Sequence, residues 1–211
     1  MMGWFDFTRS PAGTSVETLK IPLSPLNVVF FPGSLLPLKL FEQRYLDMAA
    51  ACMKNDTPFG ICLINQGEEV GAIAEPHPVG TLAEIGNWEM EQLGLLMITA
   101  QGSRRFRILE TRVGPQNLLE GTVEIINESG PTAIPPERQR LLPLLRRIVK
   151  DIGPERMPEP HCFDEAEWVG YRITEVLPIQ NLAKQKLLEL DDPLMRLEIL
   201  EKYLDQRKLL G

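Results

Sequence analysis

The chain changes its punctuation once, and that change constrains its fold more than any other feature. From Leu19 to Ile126, short apolar runs are separated by Gly, Pro and Asn, the pattern of a β-rich unit. The segment Glu128-Ser129-Gly130-Pro131-Thr132-Ala133-Ile134-Pro135-Pro136 then collects residues that continue neither a ladder nor a helix. Beyond it, apolar residues recur at three- and four-residue steps, the period of amphipathic helices. The expected organisation is an N-terminal arm over 1–18, a β-rich subdomain over 19–127, a linker over 128–136 and a helical subdomain over 137–211. With 211 residues, 44% of them hydrophobic and 24% charged, the chain can bury a core in both parts.

Candidate strands are Val28 to Phe31, Phe59 to Ile64, Thr81 to Ile85, Leu95 to Ala100, Phe106 to Arg112 and Leu119 to Ile126. Short strands at this spacing suggest a barrel or sandwich. One helix interrupts them, because Tyr45, Met48, Ala49 and Cys52 share a face between Glu42 and Met53; it is expected to plug one side of the barrel. In the helical part, Leu141, Leu144, Leu145, Ile148 and Ile152 form a stripe ending at Gly153. Pro143 either kinks that helix or opens its regular part. Asp164 and Glu167 have capping-box spacing ahead of a helix that stops before Pro178. A third helix spans about Asn181 to Leu190, and Asp192-Pro193 starts a fourth that carries Leu197, Leu200 and Leu204.

Several function classes are disfavoured by composition. A net charge of -7 repels a phosphate backbone unless the cations are gathered on one face, so nucleic acid is a poor partner. The three cysteines, Cys52, Cys62 and Cys162, are widely spaced and form no CxxC pair, which argues against a disulfide framework and a thiolate zinc site. The first residues, Met1-Met2-Gly3-Trp4-Phe5-Asp6-Phe7, lack the plan of a secretory signal, and no stretch approaches the length of a membrane span. A soluble cytoplasmic protein without cofactor or metal is expected.

The run from Ile21 to Leu38, with Phe30-Phe31-Pro32-Gly33 and Pro37-Leu38 at its end, resembles the opening of the N-terminal substrate-recognition domain of Lon proteases. Phe41-Glu42-Gln43-Arg44-Tyr45 is similar to the version found in stand-alone bacterial members. Further matches follow in the family's order at Phe59-Gly60-Ile61, Val79-Gly80-Thr81, Gly102-Ser103-Arg104-Arg105-Phe106 and, near the end, Lys184 to Glu189 and Asp192 with Arg196-Leu197. The resemblance covers about Leu19 to Leu210. It implies an α+β fold, a PUA-like β pseudobarrel with one inserted helix followed by a C-terminal helical bundle. It also implies a non-catalytic, adaptor-like module that binds unfolded or partner proteins and peptides. No Gly-x-x-x-x-Gly-Lys loop is present to cradle nucleotide phosphates, and no segment is expected to supply a Ser-Lys protease dyad.

The candidate protein-binding surface is apolar: Phe31, Leu35, Leu36 and Phe41 from the dense run after Val28, joined by Trp88 and Met90. The alternative is that these residues build the barrel core. A candidate basic face comprises Arg104, Arg105 and Arg107, with strand alternation placing Arg105 and Arg107 together and Phe106 and Ile108 opposite. It suits either an RNA-binding protein or a solvated face. A small Cys/His hydrolase built on Cys162, His161 or His77 is the third reading, and it lacks a third group at catalytic spacing. A weak homodimer is compatible with the sequence.

Overall fold

The computed structural model describes residues 16–128 and 130–210. Six strands form one sheet: β1 (Thr18–Leu26), β2 (Leu35–Leu40), β3 (Phe59–Gln66), β4 (Glu75–Gln92), β5 (Leu95–Val113) and β6 (Leu119–Ile125). Their order is β2-β5-β4-β3-β1-β6, and β6 pairs again with β5, so five strands close a ring. Only β1 and β3 run parallel; the other neighbours are antiparallel. Strand β2 hangs from the first half of β5 as an edge strand.

Strands β4 and β5 each absorb what the sequence pattern separates. Gly86 and Gly102 look like interruptions, yet both lie within continuous strands next to register shifts. They are bulge-associated positions rather than loops. A Cβ on Gly102 would sit 2.2 Å from the Phe31 carbonyl oxygen, so close backbone approach requires glycine there. That approach explains why Val28 to Phe31 is not a strand. The Thr81 hydroxyl donates to the Phe30 carbonyl at 2.6 Å, and Gly33 N–H donates to the Gly102 carbonyl at 2.8 Å. The Phe30 carbonyl and the Gly33 N–H are thus satisfied by β4 and β5 without a ladder.

Helix α1 (Gln43–Asn55) buries Met48, Ala49 and Cys52 against Phe59, Ile61, Ala83, Leu96 and Ile98. A separate cluster inside the ring joins Leu23, Cys62, Leu82, Phe106 and Val123. After a 3₁₀ turn at Pro136–Leu141 come α2 (Leu142–Ile152), α3 (Ala166–Val176), α4 (Asn181–Glu189) and α5 (Pro193–Gln206). Their shared core includes Leu145, Val169, Ile173, Leu197, Leu200 and Leu204. Pro143 occupies the first turn of α2, where its missing N–H has no intrahelical role. Gly153 follows α2 at φ 82, as expected for a helix stop.

The expected capping box is absent: α3 starts after Glu165 with no side-chain cap. Glu167 instead accepts from the Thr132 backbone at 3.0 Å and its hydroxyl at 2.6 Å, clipping the Pro-rich segment to α3. Asp192 does cap α5, accepting from Leu194 and Met195 N–H at 2.9 and 3.1 Å. Residues 1–15 of the expected arm lie outside the described residues. Glu17 is tied down: its carbonyl accepts from Ile125 N–H, and its carboxylate pairs with Arg104 at 2.7 Å.

Buried polar side chains join the helices to the strands. Arg105 is 1% exposed; it donates to Glu128 at 2.6 Å and to the carbonyls of Leu188 and Leu190 at 2.7 and 3.0 Å. Arg172 reaches the Pro32 carbonyl at 2.7 Å, and Gln185 the Val79 carbonyl at 3.0 Å. Around them Val29, Phe31, Leu63 and Val79 pack with Tyr171 and Leu188. The Arg196 guanidinium stacks on Tyr171, 4.3 Å from the ring centre. Burial pushes the Tyr171 phenol up to about 12.

Candidate functional site

The register of three strands defines an exposed apolar surface. Directly opposed residues in antiparallel strands share a face. Leu38, Ile98 and Trp88 form one row across β2, β5 and β4, and Leu40, Leu96 and Met90 form the next. The inner members are core residues, with Ile98 at 2% and Leu96 at 3% exposure. Trp88 and Met90 are 61% and 54% exposed. The same sheet face is therefore buried at Leu96, Ile98 and Ala83, which share a cluster with Met48, Ala49 and Cys52 of α1, and open at the Trp88–Met90 stretch of β4. The register shift between Ile85 and Asn87 makes this possible, because the extra residue keeps Ile85, Trp88 and Met90 on one face.

Leu36, Leu38, Ile85 and Met53 are half-buried at the margin of this core, and Phe41, immediately after β2, is 55% exposed. The β4–β5 turn carries Leu93 at 98% exposure, beside Gly94 at φ 82. A leucine presented on a two-residue hairpin turn is unusual, since such turns favour Gly, Asn and Asp. Leu93 is absent from the sequence-derived surface. The Leu-Gly pair between two apolar runs is the signal that could have found it.

The expected surface members divide. Phe41, Trp88 and Met90 are exposed, and Leu36 lies at the base of the same face. Leu35 pairs with Gln101, one residue out of phase with Leu36, and so faces the other side of the sheet. Phe31 has to be withdrawn: it is fully buried, with its ring 5.7 Å from that of Tyr171 in the joint between strands and helices.

The basic face is also corrected. Arg105 and Arg107 do share a strand side, but the helices cover that side at Arg105 and leave it open at Arg107. Burial works against the Arg105 charge, yet hydrogen bonding to Glu128 and the nearby acidic groups outweigh it and raise its pKa. Arg104 is held by Glu17 and Arg112 by Glu120. Among the described residues only Arg107 of the four lacks a carboxylate partner.

Nothing at the cysteines resembles an activated nucleophile. Burial pushes the Cys52 and Cys62 thiols up, and burial with Glu165 and Asp164 raises Cys162. His161 sits 2.9 Å from the Met157 carbonyl and packs among Phe163 and Trp168. No group of three or more potential metal ligands occurs among the described residues. No described helix is long and apolar enough to cross a membrane.

A groove of about 520 Å³ opens where α1 meets the mouth of the strand ring, between Met48 and Cys52 on one side and Ile21, Thr111 and Gly121 on the other. Its rim mixes Lys20 and Arg112 with Glu110 and Glu120, and Arg112 and Glu120 are closed on each other. The volume would admit a small ligand, but its charges select no single sign.

Residues 20–206 match the ATP-dependent protease La (LON) substrate-binding domain. The chain belongs to this family. It is 26% identical to Lon protease of Cytophaga hutchinsonii over 195 residues, covering 88% of this chain and 24% of that protein. Chicken (Gallus gallus) cereblon is 30% identical over 112 residues, 51% of this chain. The crystal structure of a Lon N-terminal domain protein from Xanthomonas campestris superposes with a TM-score of 0.74 at 32% identity, covering 88% of this chain and 98% of that one. The N-terminal domain of Mycobacterium avium complex Lon protease shares the fold, with a TM-score of 0.61 at 20% identity. The chain thus spans about a quarter of the length of the curated Lon proteases it matches. Its mixed sheet and helices form the fold of a Lon N-terminal domain, a substrate-binding and non-catalytic unit.

Proposed function

We propose that this chain is a protein- and peptide-binding module that holds exposed apolar segments of other polypeptides on the face formed by Trp88, Met90, Phe41 and Leu36, extended by Leu93. The observation that carries the reading is the continuity of this face with the α1 core: the same rows that are dry at Leu96 and Ile98 emerge into solvent at Met90 and Trp88. Exposed aromatic and Met side chains suit varied partners, because they offer large contact area and adaptable packing. We read the strand ring as a PUA-like pseudobarrel and residues 137–211 as a helical subdomain joined by the 128–136 linker. The module acts as an adaptor or recognition unit in the cytoplasm, with chemistry supplied by other polypeptides.

The test uses a labelled, uncharged unfolded reporter peptide and fluorescence anisotropy. Trp88→Ala and Met90→Ala each weaken binding by about tenfold, as for central anchors of an interface. Arg107→Ala leaves it unchanged. Equal binding by all three variants and the parent chain contradicts this placement of the site.

A further inference from the structure

Strand β4 outruns its neighbour on one side. Its pairing with β3 ends where Phe59 lies opposite Ala83, whereas its pairing with β5 continues from Glu84 to Gln92. The outer edge of this second half has no ladder partner among the described residues, and no turn or loop backbone supplies one. The edge is open: residues 86–90 are all exposed, and a Cβ on Gly86 would meet only the Thr99 carbonyl oxygen, at 3.6 Å. Between the register shifts at Ile85/Asn87 and Met90/Gln92, residues 87–90 pair regularly with 96–99. In a regular antiparallel ladder, alternate residues turn N–H and C=O to one neighbour and those between turn theirs to the other. Two of these four residues thus present a donor and an acceptor outward.

The two apolar rows end at the same edge, at Trp88 and Met90. A strand laid along it would place alternate side chains beside both residues and extend each row by one position. The other free edge of the arm, on β2, is blunted by Pro37, which has no N–H, and by Lys39, two devices by which edges resist added strands. Residues 84–92 contain neither proline nor lysine. Glu89 lies between Trp88 and Met90 and so faces the reverse of the sheet. The register shifts at both ends confine regular pairing to a short stretch, which favours a single docked segment over continued sheet growth.

We infer that the Asn87–Met90 edge of β4 takes an extended segment of a client polypeptide as an added strand, whose alternate apolar side chains continue the rows beside Trp88 and Met90. This rests on the reading of that face as the binding site and adds the conformation and the residue pattern of its clients. Main-chain hydrogen bonds supply affinity that tolerates varied sequences, and the alternate side chains supply selectivity. Segments with apolar residues at every second position are accepted, and the same residues displayed on a helix are not.

The experiment uses a short, uncharged labelled peptide with apolar residues at alternate positions, and a series in which one backbone amide at a time is N-methylated, in anisotropy titrations of the full chain. Methylation at every second position removes a donor that faces β4 and weakens binding by about tenfold, while methylation at the positions between changes it by less than about threefold. A stapled helical peptide with the same apolar side chains binds at least about tenfold more weakly than the parent. Trp88→Ala, at an exposed site outside the core, weakens the parent peptide. A flat methylation profile, with all positions tolerated or all positions lost, or equal binding of the helical peptide, overturns the added strand; a loss on Trp88→Ala still upholds the binding face in those cases. Failure of the parent peptide to bind, or binding untouched by Trp88→Ala, overturns the face and the strand alike.

Discussion

At the scale of single residues, Arg105 shows where strand logic ends. Alternation correctly puts Arg105 and Arg107 on one side of β5, but it cannot say that α4 and the following loop lie over one of them. A buried guanidinium is tolerated only when its donors are matched, and here two carbonyls and the Glu128 carboxylate do so. Arg105→Ala is therefore expected to destabilise the chain by about 3–5 kcal/mol, because Glu128 and the carbonyls lose their partner. Urea denaturation checks this, and a loss similar to that of Arg107→Ala would contradict it. Phe31 follows the same rule. An aromatic run after Val28 can line a surface or, more often, a core, and the outcome is decided by residues more than a hundred positions away, notably Tyr171.

At the scale of elements, local signals were legible where the cause is local. The α1 stripe, the Gly153 stop and the Asp192-Pro193 start depend on residues within one turn, and each lies within two residues of its expected place. Asp192→Ala removes the two N–H acceptors at the start of α5 and is expected to cost about 1 kcal/mol, measurable as a lower midpoint in thermal or urea unfolding. An unchanged midpoint would mean that solvent caps the helix equally well. Strand ends were missed at two glycines. Gly102 reads in the sequence as a strand-edge glycine suited to a bulge or a close backbone approach, and the structure shows both there, but Gly102 and Gly86 lie inside long strands rather than at their ends. The capping-box spacing at Asp164 failed for another reason: Glu167 has a better partner in Thr132, thirty-five residues away.

At the scale of the whole molecule, the strands and helices share a joint built from Arg105, Arg172, Gln185 and the Phe31–Tyr171 contact, so the apolar face is carried by a braced scaffold. Phe41, Leu36, Trp88 and Met90 of that face were legible in the sequence. The remainder, its continuity across three strands and its extension to Leu93, depends on a register that no local pattern encodes. The measurement that tests the central claim most directly is amide hydrogen exchange of the full chain with and without a saturating uncharged, apolar unfolded peptide. The account predicts added protection confined to β2 and to the Ile85–Leu96 arm. Protection centred instead on the groove beside Lys20 and Ala51, or on the helices α2 to α5, would contradict it.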